Sequence, residues 1–187
     1  DGQNKKQITC TPESEGNAVW IDGGKQIAYL SGKSGDSQLW IMNADGSNAR
    51  QISHHEKGVH GFLFSPDEKH ILFIGNVKYS EKASDLYPDL DKATGRVIDD
   101  LMYKHWDEWV EEIPHPYIAS FDGKQLTDIT DIMEGEPYES PMKPFGGIES
   151  FAWTPDSKAV WNILYRQIQI FICMTSPPKK PKTLPRA

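Results

Sequence analysis

The densest group of side chains able to do chemistry lies in residues 106–112, W-D-E-W-V-E-E. Asp107, Glu108, Glu111 and Glu112 crowd carboxylates into one short stretch. Read as a helix, the stretch makes Asp107/Glu111 and Glu108/Glu112 like-charge pairs at i, i+4, which cost stability. Carboxylates held together in this way can hold a cation. The alternative is a solvated acidic face on a short helix. Trp106 and Trp109, at i, i+3, would share one side of that helix. They are expected to pack it onto the body of the protein, with a lining for a pocket as the second reading.

Other reactive residue types are sparser. His54, His55 and His60 cluster without a carboxylate or cysteine at ligand spacing, so no metal site is expected there. His105 and His115 flank the acidic stretch. His105 could pair with a carboxylate, although a surface role is expected for both. The two cysteines, Cys10 and Cys173, are too few for a zinc cluster or a disulfide framework. Asp45-Gly46 and Asp122-Gly123 lack the acidic density of a calcium loop and read as turns. The run S-G-K-S-G-D from Ser31 to Asp36 lacks the second glycine of a G-x-S-x-G nucleophile elbow. No catalytic residue, metal or cofactor is therefore assigned.

The elements that must position these residues announce themselves as repeats. Residues 62–73 read F-L-F-S-P-D-E-K-H-I-L-F, and 151–161 read F-A-W-T-P-D-S-K-A-V-W. Residues 18–29, A-V-W-I-D-G-G-K-Q-I-A-Y, fall on the same template, with Trp20, Phe64 and Trp153 in one column. That column is expected to form core between neighbouring units. In each unit two alternating runs meet at a turn that proline, aspartate or glycine favours, which predicts a β-hairpin. A second half-repeat follows: 39–53 matches 117–130 with Asp45-Gly46 over Asp122-Gly123, again a hairpin signal. Residues 5–9, K-K-Q-I-T, match A-R-Q-I-S at 49–53, so the chain is expected to open in the last strand of an earlier unit.

Each unit is thus four strands long. The spacing of 44 residues from Lys25 to Lys69 suits one blade of a β-propeller. From Lys69 to Lys158 the spacing is 89, about twice that, and the excess falls between the second and third strands of the middle unit. The fold class is therefore all-β: a partial propeller of about two and a half four-stranded antiparallel blades with a short helical insertion. The expected boundaries are a last strand at 1–10, a blade at 10–54, and a blade at 58–131 that carries an insertion at 77–114. The start of a further blade follows at 148–160. A β-sandwich with coincidental turns is the alternative.

Composition sets limits on what such a stack can be. The chain has 187 residues, 37% of them hydrophobic, with six Trp, seven Tyr and seven Phe. That is more aromatic surface than a disordered chain carries. A net charge of −7 argues against nucleic acid as a partner. No apolar run is long enough to span a bilayer as a helix. The chain starts at Asp1 without a charged-then-apolar leader, so any targeting segment is expected to have been removed.

After Val160 the repeat fails. Pro177, Pro178, Pro181 and Pro185 exclude a central strand there. Codons assumed for 165–187 and read from their third base yield D-I-Y-L-Y-D-L followed by T-K-N-L-T, which resumes the missing half-repeat. The expectation is a reading-frame slip between Val160 and Tyr165, with 161–187 out of frame and Cys173 without a role.

The S/T-P-D-x-K hairpins, the L-W-I-M-N-A-D-G turn and the inserted D-L-M-Y-K-H-W-D-E-W at 100–109 resemble the N-terminal propeller of the prolyl oligopeptidase family. Within it the chain is most similar to the secreted dipeptidyl aminopeptidase and acylaminoacyl-peptidase-like enzymes of Bacteroidetes-type bacteria. The resemblance covers about 1–160. It implies a propeller that caps an α/β-hydrolase domain, a serine peptidase restricted to short peptides, and a periplasmic or secreted location. It also implies that Glu108, or Glu111 with Glu112, holds the substrate's terminal ammonium, with Trp106 and Trp109 nearby. The hydrolase domain is absent from this sequence, so the chain alone is expected to be inactive and to self-associate through open blade edges. Its partners in the intact enzyme would be that domain and a peptide. A TolB-like propeller that binds without cleaving is the rival reading.

Overall fold

The Ser/Thr-Pro-Asp motif makes its turn through the hydroxyl. Ser65 donates to the Asp67 carboxylate at 2.6 Å and its hydroxyl accepts the His70 N–H at 3.0 Å. Thr154 does the same with Asp156 at 2.6 Å and the Ala159 N–H at 3.0 Å. The residue after each aspartate, Glu68 and Ser157, takes a positive φ of 55° and 61°. The first unit meets this requirement with Gly23 and Gly24, at 61° and 86°. The Asp-Gly turns close similarly, with Gly46 and Gly123 at φ 92° and 86°.

These turns join strands into sheets. The computed structural model describes residues 3, 5–98, 100–164 and 167–173. Its first sheet runs β1 (Glu15–Ile21), β2 (Gln26–Ser34), β3 (Asp36–Asn43) and β4 (Arg50–Gln51), in that order and antiparallel. The second holds β5 (Gly61–Phe64) and β6 (His70–Lys78). After a one-turn helix α1 (Ala83–Leu86) and a small hairpin of β7 (Lys104–His105) and β8 (Glu108–Trp109), it resumes with β9 (Glu112–Phe121) and β10 (Leu126–Asp131). The third holds β11 (Phe151–Trp153), β12 (Ala159–Leu164) and β13 (Gln167–Cys173). The expected all-β architecture of four-stranded antiparallel sheets is what the chain forms. The proline-rich end and the Cys173 side chain lie outside the described residues.

Successive sheets pack face to face. Ile21, Ala28, Leu39 and Ile41 of the first bury against Phe62, Ile71, Phe73 and Ala119 of the second. Leu72, Ile74 and Ile118, on the other side of the second sheet, meet Phe151 and Val160 of the third. In both seams the earlier sheet contributes an aliphatic face and the later sheet an aromatic-rich one. The turns also touch in series: the Asp22 N–H donates to Glu68 and the Asp67 N–H to Ser157.

Trp20 departs from its column. Phe64 and Trp153 pack into the two seams, whereas Trp20 is 64% exposed. Among the described residues no sheet packs on the face that carries Trp20.

Candidate functional site

The link between β6 and β9, residues 79–111, emerges at the end of the stack opposite the Pro-Asp turns. Two other connections meet it there. Loop 52–60 is fastened by the Gln38 amide to the His55 carbonyl at 2.7 Å and by the Val59 N–H to the Ser37 carbonyl. Loop 132–147 is fastened by the Ser140 N–H to the Pro114 carbonyl at 2.8 Å.

The acidic stretch is not helical. Lys104 pairs with Trp109 and His105 with Glu108, leaving Trp106-Asp107 as the two-residue turn, with Trp106 at φ 51°. Tight hairpin turns need such positive φ values. The i, i+4 pairs of the helical reading therefore do not exist, and Trp106 and Trp109 do not share a helix face. Helix in the insertion is confined to α1 among the described residues. Trp106, 77% exposed, meets Phe145 edge to face at 6.1 Å, while Trp109 lies under the Arg96 guanidinium at 4.6 Å and Lys104 at 5.2 Å.

The carboxylates part company. Glu111 takes both Lys82 and Arg96, and these hydrogen bonds hold its carboxyl below the usual range. Glu112 meets Lys57 at 2.9 Å and the Asn76 amide at 3.3 Å. Burial pushes Glu112 up, but the bonds from Lys57 and Asn76 outweigh it and its carboxyl also sits low. Both are committed to cations of this chain. Asp107 and Glu108 are exposed, and among the described residues neither has a cation partner. Glu108 stands on the hairpin arm beside Trp109.

The histidines also separate. His105 Nε2 lies 3.0 Å from Glu139, bracing the hairpin against loop 132–147. His115 is not a surface group: it is 2% exposed and its Nδ1 meets Asp131 at 2.8 Å. His115 sits on a strand flanked by prolines, a local sequence that gives no sign of depth. Beside the hairpin a cavity of about 200 Å³ is lined by Tyr79, Val97, Ile98, Asp100, Met102 and Tyr103 among others. The Met102 N–H and then the Tyr79 hydroxyl lower the Asp100 carboxyl. Neither this cavity nor the cations Lys57, Lys82 and Arg96 could be found by local spacing.

No family model matches the chain. It is 57% identical over 165 residues to dipeptidyl-peptidase 5 of Porphyromonas gingivalis, covering 88% of this chain and 24% of that protein. It is 42% identical over 160 residues to dipeptidyl-peptidase 5 of Porphyromonas endodontalis, covering 86% and 23%. The chain thus spans about a quarter of the length of these curated relatives. Among solved structures, an acylaminoacyl peptidase in complex with Z-Gly-Gly-Phe-chloromethyl ketone superposes with a TM-score of 0.51 at 11% identity, covering 79% of this chain and 20% of that one. TolB from Acinetobacter baumannii gives 0.51 at 17%, covering 91% and 32%. At these identities the two structures speak for the fold. The chain is a propeller-type segment, homologous to part of the dipeptidyl-peptidase 5 proteins and built on the plan that the resemblance to the prolyl oligopeptidase propeller led us to expect.

Proposed function

We propose that the chain is a non-catalytic part of the propeller of a secreted or periplasmic serine exopeptidase of dipeptidyl-peptidase type. There it gates access to the catalytic chamber and helps hold the substrate's amino end. The observation that carries this reading is the 57% identity over 165 residues to a protein named dipeptidyl-peptidase 5. An insertion rising from one end of the sheet stack suits a group that must reach a substrate outside the propeller. Of the candidates, Glu108 is the carboxylate left for an ammonium, because Glu111 and Glu112 already hold cations. Trp106 and Trp109 supply aromatic surface on either side of it. Alone, the chain hydrolyses nothing, and its bare sheet faces associate with copies of itself.

A chimera tests this. Replacing the matching segment of the P. gingivalis protein by residues 1–160 should leave dipeptide release from a chromogenic peptide amide within about tenfold. In that chimera Glu108→Gln should raise KM about tenfold or more with kcat little changed, as expected when a charge-assisted contact to bound substrate is lost. An active chimera whose KM ignores Glu108→Gln removes the anchoring role. A chimera that folds but is inactive removes the peptidase assignment.

A further inference from the structure

The seam between the first two sheets is filled by apolar side chains in its middle and open at one margin. There the edge strands β4 and β10 stand on either side of a groove of about 640 Å³. It is lined by Gln26, Arg50, Gln51, Ile52, His54 and the turn from Gly123 to Leu126. Both walls belong to this chain. Strand alternation aims the polar residues into the groove. Ile52 is buried in the seam, so Arg50, two residues earlier, faces the same way, and Gln26 stands in that relation to buried Ala28.

The lining offers donors and few acceptors. The Arg50 guanidinium crosses to the second sheet and donates from Nη2 to the Gly123 carbonyl at 2.9 Å. This fixes its position and leaves further N–H groups of the fork for another acceptor. No carboxylate pairs with Arg50 or Lys124 among the described residues. The Gln51 amide nitrogen donates to the Ser53 carbonyl at 2.6 Å, which fixes the amide's orientation, and lies 3.1 Å from Nδ1 of His54. Nδ1 therefore accepts, and the imidazole proton sits on Nε2 as another donor. Asp122 is not part of the lining; its carboxylate accepts the N–H groups of Lys124 and Gln125, each at 2.8 Å. No acidic side chain lines the groove, although the chain has 27 Asp and Glu against 20 Lys and Arg. Its local charge is thus opposite in sign to that of the whole protein.

We propose that this groove binds an oxyanion carried on a small polar molecule, a carboxylic acid or a phosphate ester. The Arg50 fork takes two of its oxygens, a geometry that suits both groups. Lys124, which is exposed, adds charge beside them, and the amides of Gln26 and Gln125 meet the polar groups of the rest of the molecule. The groove is many times the roughly 30 Å³ that a water occupies in the liquid, so it has room for more than a bare ion. The site lies at the margin of a seam, away from the inserted hairpin, and is independent of the peptidase reading.

Equilibrium dialysis of the whole chain against radiolabelled citrate and glycerol phosphate, at low ionic strength, reads binding whatever the oligomeric state. At least one should bind saturably with a Kd of about 1 mM or tighter. The tighter of the two distinguishes a carboxylic acid from a phosphate ester. Arg50→Gln should weaken that binding about fivefold or more. Lys158→Ala, which removes a cation at another turn, should leave it within about twofold. Weaker binding of both anions would overturn the site. So would a smaller loss in Arg50→Gln, or an equal loss in Lys158→Ala, since the attraction would then be diffuse. Far-UV circular dichroism verifies each fold. If Arg50→Gln unfolds, Lys124→Glu at its exposed turn position takes its place under the same criterion.

Discussion

The indole N–H of Trp153 donates to the Leu63 carbonyl at 3.1 Å, tying β11 of the third sheet to β5 of the second across 90 residues of chain. A long-range bond of this kind adds orientation to what is otherwise apolar contact between sheets. Its removal should therefore be measurable apart from the loss of packing.

Trp153→Phe keeps an aromatic ring in the seam and deletes the donor. The expected loss is about 1 kcal/mol, typical of one intramolecular hydrogen bond, read from the urea midpoint in dilute protein. Trp20→Phe, at an exposed position with no such bond within one copy, should change stability by less than about 0.5 kcal/mol. Equal losses for the two would show that the indole bond contributes nothing to the seam.

Gly75 is where the loop of the first sheet touches the second. A Cβ there would stand 2.6 Å from Cε1 of His55, whose ring also packs edge-on against Tyr117 at 4.7 Å and Phe73 at 5.7 Å. Gly75→Ala should cost about 1–3 kcal/mol through overpacking. The cost should shrink by at least half in a His55→Ala background, because the clashing ring is then gone. Additive losses in the double variant would place the strain elsewhere.

His55 also makes the seam sensitive to acid. Burial, helped by the nearby His60, lowers its pKa from the ordinary imidazole value, with only partial compensation from the backbone hydrogen bond of Gly58 and from Glu56 and Asp131. The unfolded chain therefore binds the proton more readily than the folded one. The contribution of His55 is complete above the unfolded value of about 6.5 and is lost as pH falls below it toward the lower folded value. The melting temperature should fall between about pH 6.5 and 5, ahead of the carboxylate range. Measured by differential scanning calorimetry, the drop should be smaller in His55→Gln. An unchanged slope in that variant would assign the acid sensitivity to other groups.

The reading-frame slip proposed between Val160 and Tyr165 is settled by DNA. The nucleotide sequence should resume the four-strand repeat when read in the shifted frame, with D-I-Y-L-Y-D-L over the strand that holds Leu39, Trp40 and Ile41. Codons that cannot encode that peptide end the proposal. The pairing of β12 with β13 is a physical property of the residues present, however the sequence arose.

Sequence alone determined the order and pairing of the strands in the first two sheets, outside the inserted hairpin. Alternation of period two, Pro-Asp and Asp-Gly turns, and a spacing of 44 residues are local signals, and the backbone obeys them because turn dihedrals and pleat are local properties. Tertiary structure decided the state of the carboxylates. The spacing of Asp107, Glu108, Glu111 and Glu112 suits a helix as well as a hairpin, and the hairpin is braced from outside by the contact of His105 with Glu139, 34 residues away. Glu111 and Glu112 are closed off by Arg96, Lys82 and Lys57, cations that the fold, not proximity in the chain, brings within reach. The same holds for depth: His115 is buried and Trp20 exposed because burial depends on which sheet lies opposite, a property no single strand encodes.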